Sequence, residues 1–171
     1  MEITQVLNPK TIATHVKAAN KAEALEAMAD IFVKENVIND KEQFLKDVYE
    51  REDFGATGIG NHIAIPHGKS EAVVTPGVAI AVLENEVEWE SLDDTGAKVV
   101  ILFAVGADNE AAQEHLRMLS MFSKRLGDDK VITKLIGADT AEDVINAFAE
   151  DDSVEVEEAE EELDLDEISI M

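Results

Sequence analysis

The chain has 171 residues, 46% of them hydrophobic, with no cysteine and a formal net charge of -24. This size fits one domain with a sizeable core, and the missing cysteines exclude disulfides, thiolate metal sites and thiol nucleophiles. The charge argues against DNA, RNA or anionic lipid as a partner, because phosphate backbones require clustered Lys and Arg.

The segment from Ile3 to Val16 reads as a short turn or strand, with Pro9 limiting its regularity. From Lys21 to Glu35, apolar residues at Leu25, Met28, Ala29, Phe32 and Val33 follow the spacing of a helix with one buried face. A second helix is predicted after Asn39, where Asn39 and Glu42 resemble a capping box. It would bury Phe44, Leu45, Val48 and Tyr49 and carry Arg51 near its C-terminal end. The run GATGIG, Gly55 to Gly60, predicts a sharply turning loop.

Asn61 to Ile65 reads as a short strand stopped by Pro66, which has no N–H to give to a ladder, so His67 is expected just past a strand end. Val78 to Leu83 and Lys98 to Val105 are nearly continuous apolar runs, the pattern of strands covered on both faces. Glu84 to Thr95 between them predicts a charged, hairpin-like connection anchored by Trp89. The longest purely apolar run, Val99 to Val105, is too short to span a bilayer, and no basic stretch followed by an apolar run opens the sequence. A soluble, cytoplasmic protein is expected.

The last third predicts helices at Glu110 to Leu126, with Ala112, Leu116, Leu119 and Phe122 inward, and at Asp128 to Ile136. Gly127 and Gly137 act as stops. Thr140 and Asp143 form a further capping box, opening a helix that buries Val144, Ile145 and Phe148. From Glu150 to Glu167 there are twelve acidic and no basic residues, half of the formal net charge. The expected organisation is therefore one domain over residues 1–149 and an acidic, disordered tail over 150–171. The fold class predicted is α/β, a layered α/β/α single domain with a mixed sheet flanked by helices.

The glycine run is no nucleotide site. Its spacing is G-x-x-G-x-G after a helix, where a dinucleotide fingerprint needs G-x-G-x-x-G after a strand, and Gly68-Lys69-Ser70 lacks the earlier glycine of a phosphate loop. His62, His67 and His115 show no metal-ligand spacing, so no metal is expected. A histidine such as His67 is, taken singly, most often a satisfied loop residue. Its place between Pro66 and Gly68 leaves the ring accessible, and an imidazole with one nitrogen held as donor can attack phosphorus with the other.

The run from Arg51-Glu52 through Ala56-Thr57-Gly58-Ile59-Gly60-Asn61-His62-Ile63-Ala64-Ile65-Pro66-His67-Gly68-Lys69 resembles the enzyme IIA domain of the fructose and mannitol (type 2) branch of the phosphoenolpyruvate-dependent sugar phosphotransferase system. The specific core is G-I-G-N-x-I-A-I-P-H-G, and the likeness extends from about Ile3 to Phe148, including Glu88-Trp89-Glu90-Ser91-Leu92 and His115-Leu116. His62 stands where the family often has glycine.

The resemblance implies that His67 accepts a phosphoryl group from the phosphohistidine of the carrier HPr and passes it to a IIB domain, with no bound cofactor. It also implies an arginine on the helix before the glycine loop, here Arg51, and a second histidine opening the later long helix, here His115. A guanidinium fork suits phosphoryl oxygens, although a surface arginine at a helix C-terminus has the same sequence signature. His115 would lie in the first turn of its helix and bond the phosphoryl group, or be a partly buried core histidine. Thr57 would either supplement it or shape a turn. The segment from Gly68 to Gly77 is similar to the fructose-type branch. A nitrogen-type regulatory IIA, which reports its phosphorylation state to other proteins, shares the motif and is the alternative. The tail would then be a solvated end or a linker remnant toward a IIB domain.

Overall fold

The structure is a computed structural model that describes residues 3–149. The expected acidic tail lies outside the described residues.

Over the segment expected to be a short turn or strand, the chain first forms a one-turn helix, α1 (Ile3–Val6), and a 3-10 turn over Pro9–Thr11. Strand β1 (Ile12–Val16) follows. Pro9 sits at the first position of the turn, where its missing N–H is harmless, and Asn8 caps it by accepting from the Lys10 N–H. Helix α2 (Lys21–Lys34) is capped by Asn20, which accepts from the Glu23 N–H at 2.9 Å while the Glu23 carboxylate accepts from the Ala19 N–H. Its buried stripe is Ala24, Leu25, Met28, Ala29 and Phe32; Val33, expected inward, is 43% exposed because it falls beyond that stripe.

Helix α3 (Lys41–Glu52) is capped by Asp40, accepting from the Gln43 N–H, one residue later than the sequence indicated. Asn39 is engaged elsewhere, donating its N–H to the Ala72 carbonyl in a bridge between two connections. Phe44 and Val48 are fully buried, each contributing roughly 1.5–3 kcal/mol of apolar transfer. Tyr49, expected inward, is half-exposed on the helix flank.

The glycine run is only partly a loop. Gly58–Gly60 is strand β2, antiparallel to β3 (Ile63–Ala64), with Asn61 and His62 as the central pair of the connecting turn. Both have positive φ, 55° and 69°, the signature of the type I′ turn that matches strand twist. Pro66 interrupts the chain, and β4 (His67–Lys69) resumes beside the same neighbour. His67 lies just past β3, as expected, and also opens a strand of its own, because Phe103 pairs it in register and donates its N–H to the Pro66 carbonyl.

The two long strands, β5 (Gly77–Val87) and β6 (Ala97–Val105), form the antiparallel centre of a mixed sheet ordered β1-β5-β6-β3-β2. β1 pairs parallel to β5, and β3 and β4 both pair parallel to β6, end to end. Alternation along β5 and β6 divides the core. Val78, Ile80, Val82, Val99, Ile101, Phe103 and Val105 face one layer of helices; Ala79, Ala81, Val100, Leu102 and Ala104 face α2 and α3. The first layer holds α1, α4 (Asn109–Leu126), α5 (Asp129–Ile136) and α6, residues 141–149. The arrangement is the α/β/α layering with a mixed sheet that the apolar runs imply.

Asp108 caps α4 by accepting from the Ala111 N–H at 2.7 Å, and Asp128 caps α5. Thr140 accepts from the Asp143 N–H as the capping box predicts, while the Asp143 carboxylate reaches back to the N–H of Asp139, not Thr140. Along α4 the buried residues are Met118, Phe122 and Leu126. Leu116, expected inward, is 65% exposed, since it lies one position past the buried stripe.

Candidate active site

Three side chains from separate elements converge at β4. Gly68 sets the first distance: a Cβ there would come within 2.7 Å of both Phe44 Cε1 and Val48 Cγ2, so α3 packs against bare backbone. Arg51, three residues beyond Val48 on the same helical face, is thereby carried over His67. Its Nε donates to His67 Nε2 at 3.0 Å, and its Nη1 donates to the Gly55 carbonyl at 3.2 Å. From the opposite layer α4 delivers His115, whose ring centroid lies 4.8 Å from that of His67 and 5.3 Å from that of Phe103.

These contacts determine the His67 tautomer. A guanidinium N–H only donates, so Nε2 must be the acceptor and the ring proton must sit on Nδ1, which faces the Ile65 carbonyl at 3.4 Å. Burial lowers the His67 pKa below its ordinary value. The Ile65 carbonyl opposes that shift, the Arg51 charge adds to it, and Glu52 opposes it. A neutral imidazole with an in-plane lone pair on Nε2 is the form that can take an electrophile.

The His115 pKa is lowered to about 4, first by burial and then by electrostatic interaction with the neighbouring His67 ring and the Arg51 charge. Neither of its ring nitrogens has a hydrogen-bond partner although both are buried. Unpartnered buried nitrogens are costly, roughly 1–3 kcal/mol each, and two of them beside the His67 ring leave hydrogen-bonding capacity that an incoming polar group would satisfy. His115 lies in the second turn of α4, not the first as the resemblance implied, and it meets His67 by ring contact away from the helix terminus.

Thr57 does not join the three. Its hydroxyl donates to Glu52 Oε2 at 2.6 Å and accepts from Trp89 Nε1 at 3.0 Å, which leaves nothing for a phosphoryl oxygen. His62 turns away and pairs through Nδ1 with Glu86. The cleft over His67 has a volume of about 400 Å³ and is walled by Arg51, His115 and Lys69, with Phe54 and Leu116 at its mouth. Phe54 is 87% exposed. These two apolar rim residues were not legible as site residues, since each alone reads as ordinary core or loop.

An α/β layer with an imidazole pair and a guanidinium gathered at one edge strand is a site for handling a small anionic group. The sequence matches the family described as phosphoenolpyruvate-dependent sugar phosphotransferase system, EIIA 2, over residues 5–151, and the chain belongs to that family. Its domains are phosphotransferases with phosphohistidine intermediates.

The chain is 31% identical over 149 residues to the fructose-specific EIIA component of Haloferax volcanii, covering 87% of this chain and 96% of that one. It is 32% identical over 145 residues to the nitrogen regulatory protein of Escherichia coli, covering 84% and 87%. Against the fructose-specific EIIABC component of Bacillus subtilis it is 32% identical over 152 residues, covering 89% of this chain but only 24% of that protein's length. The fold matches that in the complex of enzyme IIAMTL and phosphorylated enzyme IIBMTL from Escherichia coli with a TM-score of 0.71. That match is 25% identical and covers 84% of this chain and 96% of that one. Among the described residues no helix is long and apolar enough to cross a membrane.

Proposed function

We propose that the chain is a cytoplasmic phosphocarrier: His67 Nε2 accepts a phosphoryl group from phosphorylated HPr and passes it to a IIB domain, in sugar uptake of the fructose type. The observation that carries this reading is the His67 ring, with Nδ1 held as donor, Nε2 capped by Arg51 and two unpartnered nitrogens of His115 beside it.

The chemistry needs little beyond positioning and charge. As the donor's N–P bond breaks and the Nε2–P bond forms, the Arg51 N–H leaves Nε2 and turns to the phosphoryl oxygens; Nδ1 keeps its proton. The neutral His115 ring offers one N–H to the same oxygens. Phe54 and Leu116 at the rim suit a protein-borne donor, because exposed apolar residues around a small polar cleft mark a protein contact. Transfer onward reverses the same steps.

Fructose-type transport is supported by the two relatives that carry that specificity in their names. The likeness to a nitrogen regulatory protein supports a second reading, in which the phosphorylation state of His67 is the signal. Incubation with phosphorylated HPr and then with a fructose-type IIB domain tests the first reading. Acid-labile label that moves to IIB supports transport. Label that stays on the chain while its affinity for a kinase or regulator changes supports signalling. A His67→Ala chain that still takes label contradicts both.

A further inference from the structure

The residue after Arg51 is a buried acid that the transfer steps leave unused. The Glu52 side chain is 5% exposed; its Oε1 forms an ion pair with Lys21 Nζ at 2.5 Å without hydrogen-bond geometry, and its Oε2 accepts from the Thr57 hydroxyl. Thr57 in turn accepts from the Trp89 indole N–H, and Lys21 Nζ stands 4.9 Å from the centroid of the Trp89 ring while also pairing with Glu90. Four segments meet here: the start of α2, the end of α3, the connection into β2 and the segment after β5.

This cluster closes the loop that anchors Arg51. Glu52 and Thr57 lie at either end of residues 53–56, and the carbonyl of Gly55 within them is the second hold on the guanidinium. Consecutive helix residues project about 100° apart, so Glu52 turns inward while Arg51 turns toward His67. Lys21 occupies the carboxylate that would otherwise compete for its neighbour, and among the described residues no carboxylate pairs with Arg51. In a chain of formal charge -24, an active-site cation left free of acids needs such an arrangement.

We propose that Glu52, locked by Lys21, Thr57 and Trp89, is a positioning residue that fixes the 53–57 loop and thereby aims the Arg51 guanidinium at the phosphoryl group on His67. This rests on the reading of Arg51 and His67 given above. Glu52 also raises the His67 pKa against the pull of Arg51, which supplies a second readout.

The test uses the full chain with phosphorylated HPr as donor. Glu52→Gln is expected to lower kcat for phosphoryl acceptance about tenfold with KM within about twofold, since the docking rim is untouched, and to move the His67 NMR titration midpoint down. In an Arg51→Ala background the same change is expected to alter the rate by less than about twofold, because a group acting through Arg51 has nothing left to aim. Full wild-type rates in a folded Glu52→Gln chain, or effects of the two substitutions that multiply, overturn the proposal. Should Glu52→Gln fail to fold, Thr57→Val replaces the hydroxyl that donates to Glu52 with a methyl of nearly the same shape. Solvent exchange of the Arg51 Nε–H is then expected to quicken at least threefold, and unchanged exchange overturns the proposal. If wild type takes no phosphoryl at all, the functional reading falls and this proposal with it; if wild type and Arg51→Ala differ while Glu52→Gln matches wild type, only this proposal falls.

Discussion

Arg51 Nε donates to His67 Nε2 at 3.0 Å, so the clamp and the nucleophile of the proposed transfer are already joined before any phosphate arrives. A lysine at position 51 has neither the Nε donor nor a planar fork. Arg51→Lys should therefore reduce the rate of phosphoryl acceptance by roughly 10²-fold, and Arg51→Ala by as much or more, each with a near wild-type melting temperature. Stopped-flow or quench measurements with phosphorylated HPr, beside thermal melts, check this.

The neutral state of His115 gives a pH dependence with a definite sign. Its folded pKa, about 4, lies below the ordinary histidine value, so the unfolded chain binds a proton that the folded chain refuses. The contribution is intact above the ordinary value, drains away as pH falls toward about 4, and is constant below that. His67 shifts in the same direction. Allowing for solvent screening at a ring that water partly reaches, the loss is on the order of 1–2 kcal/mol. Urea titrations at pH 7.5 and 4.5 should show that His115→Phe loses less stability on acidification than wild type by about that amount.

His62 occupies the second central position of the β2–β3 turn with φ 69°, a conformation that glycine adopts freely and a side chain with a Cβ does not. His62→Gly forfeits the pairing with Glu86, an exposed contact of small value, and relieves the strain. A net gain of about 0.5–1 kcal/mol is expected, seen as a melting temperature higher by about 2 °C.

Gly68→Ala places a methyl against Phe44 and Val48, both fully buried and unable to swing aside. The helix must move outward and carry Arg51 with it. Destabilisation of about 1–3 kcal/mol and a fall of at least tenfold in phosphoryl acceptance should appear together.

How much of this could be read from residues alone depends on the range of the interaction. The two central strands and the long helices were legible because their apolar periods are local, and the Arg51, His67 and His115 candidates came from a long motif and the family it resembles. Helix starts were off by a residue where tertiary bonds decided the cap, as when Asn39 bonded Ala72 and left Asp40 to cap α3. Gly58–Gly60 became a strand because β3 and the Asn61-His62 turn supplied its partner, which a glycine count does not reveal. Leu116 and Phe54 surface at the cleft mouth, and Thr57 is drawn away by Glu52 and Trp89; both outcomes depend on neighbours distant in sequence.

The most direct test is a long-range proton–nitrogen NMR spectrum of the imidazoles after reaction with phosphorylated HPr. The expected result is phosphorus coupling at Nε2 of His67 with Nδ1 still protonated. Phosphorus on Nδ1 of His67, on His115, or on no histidine at all would contradict it.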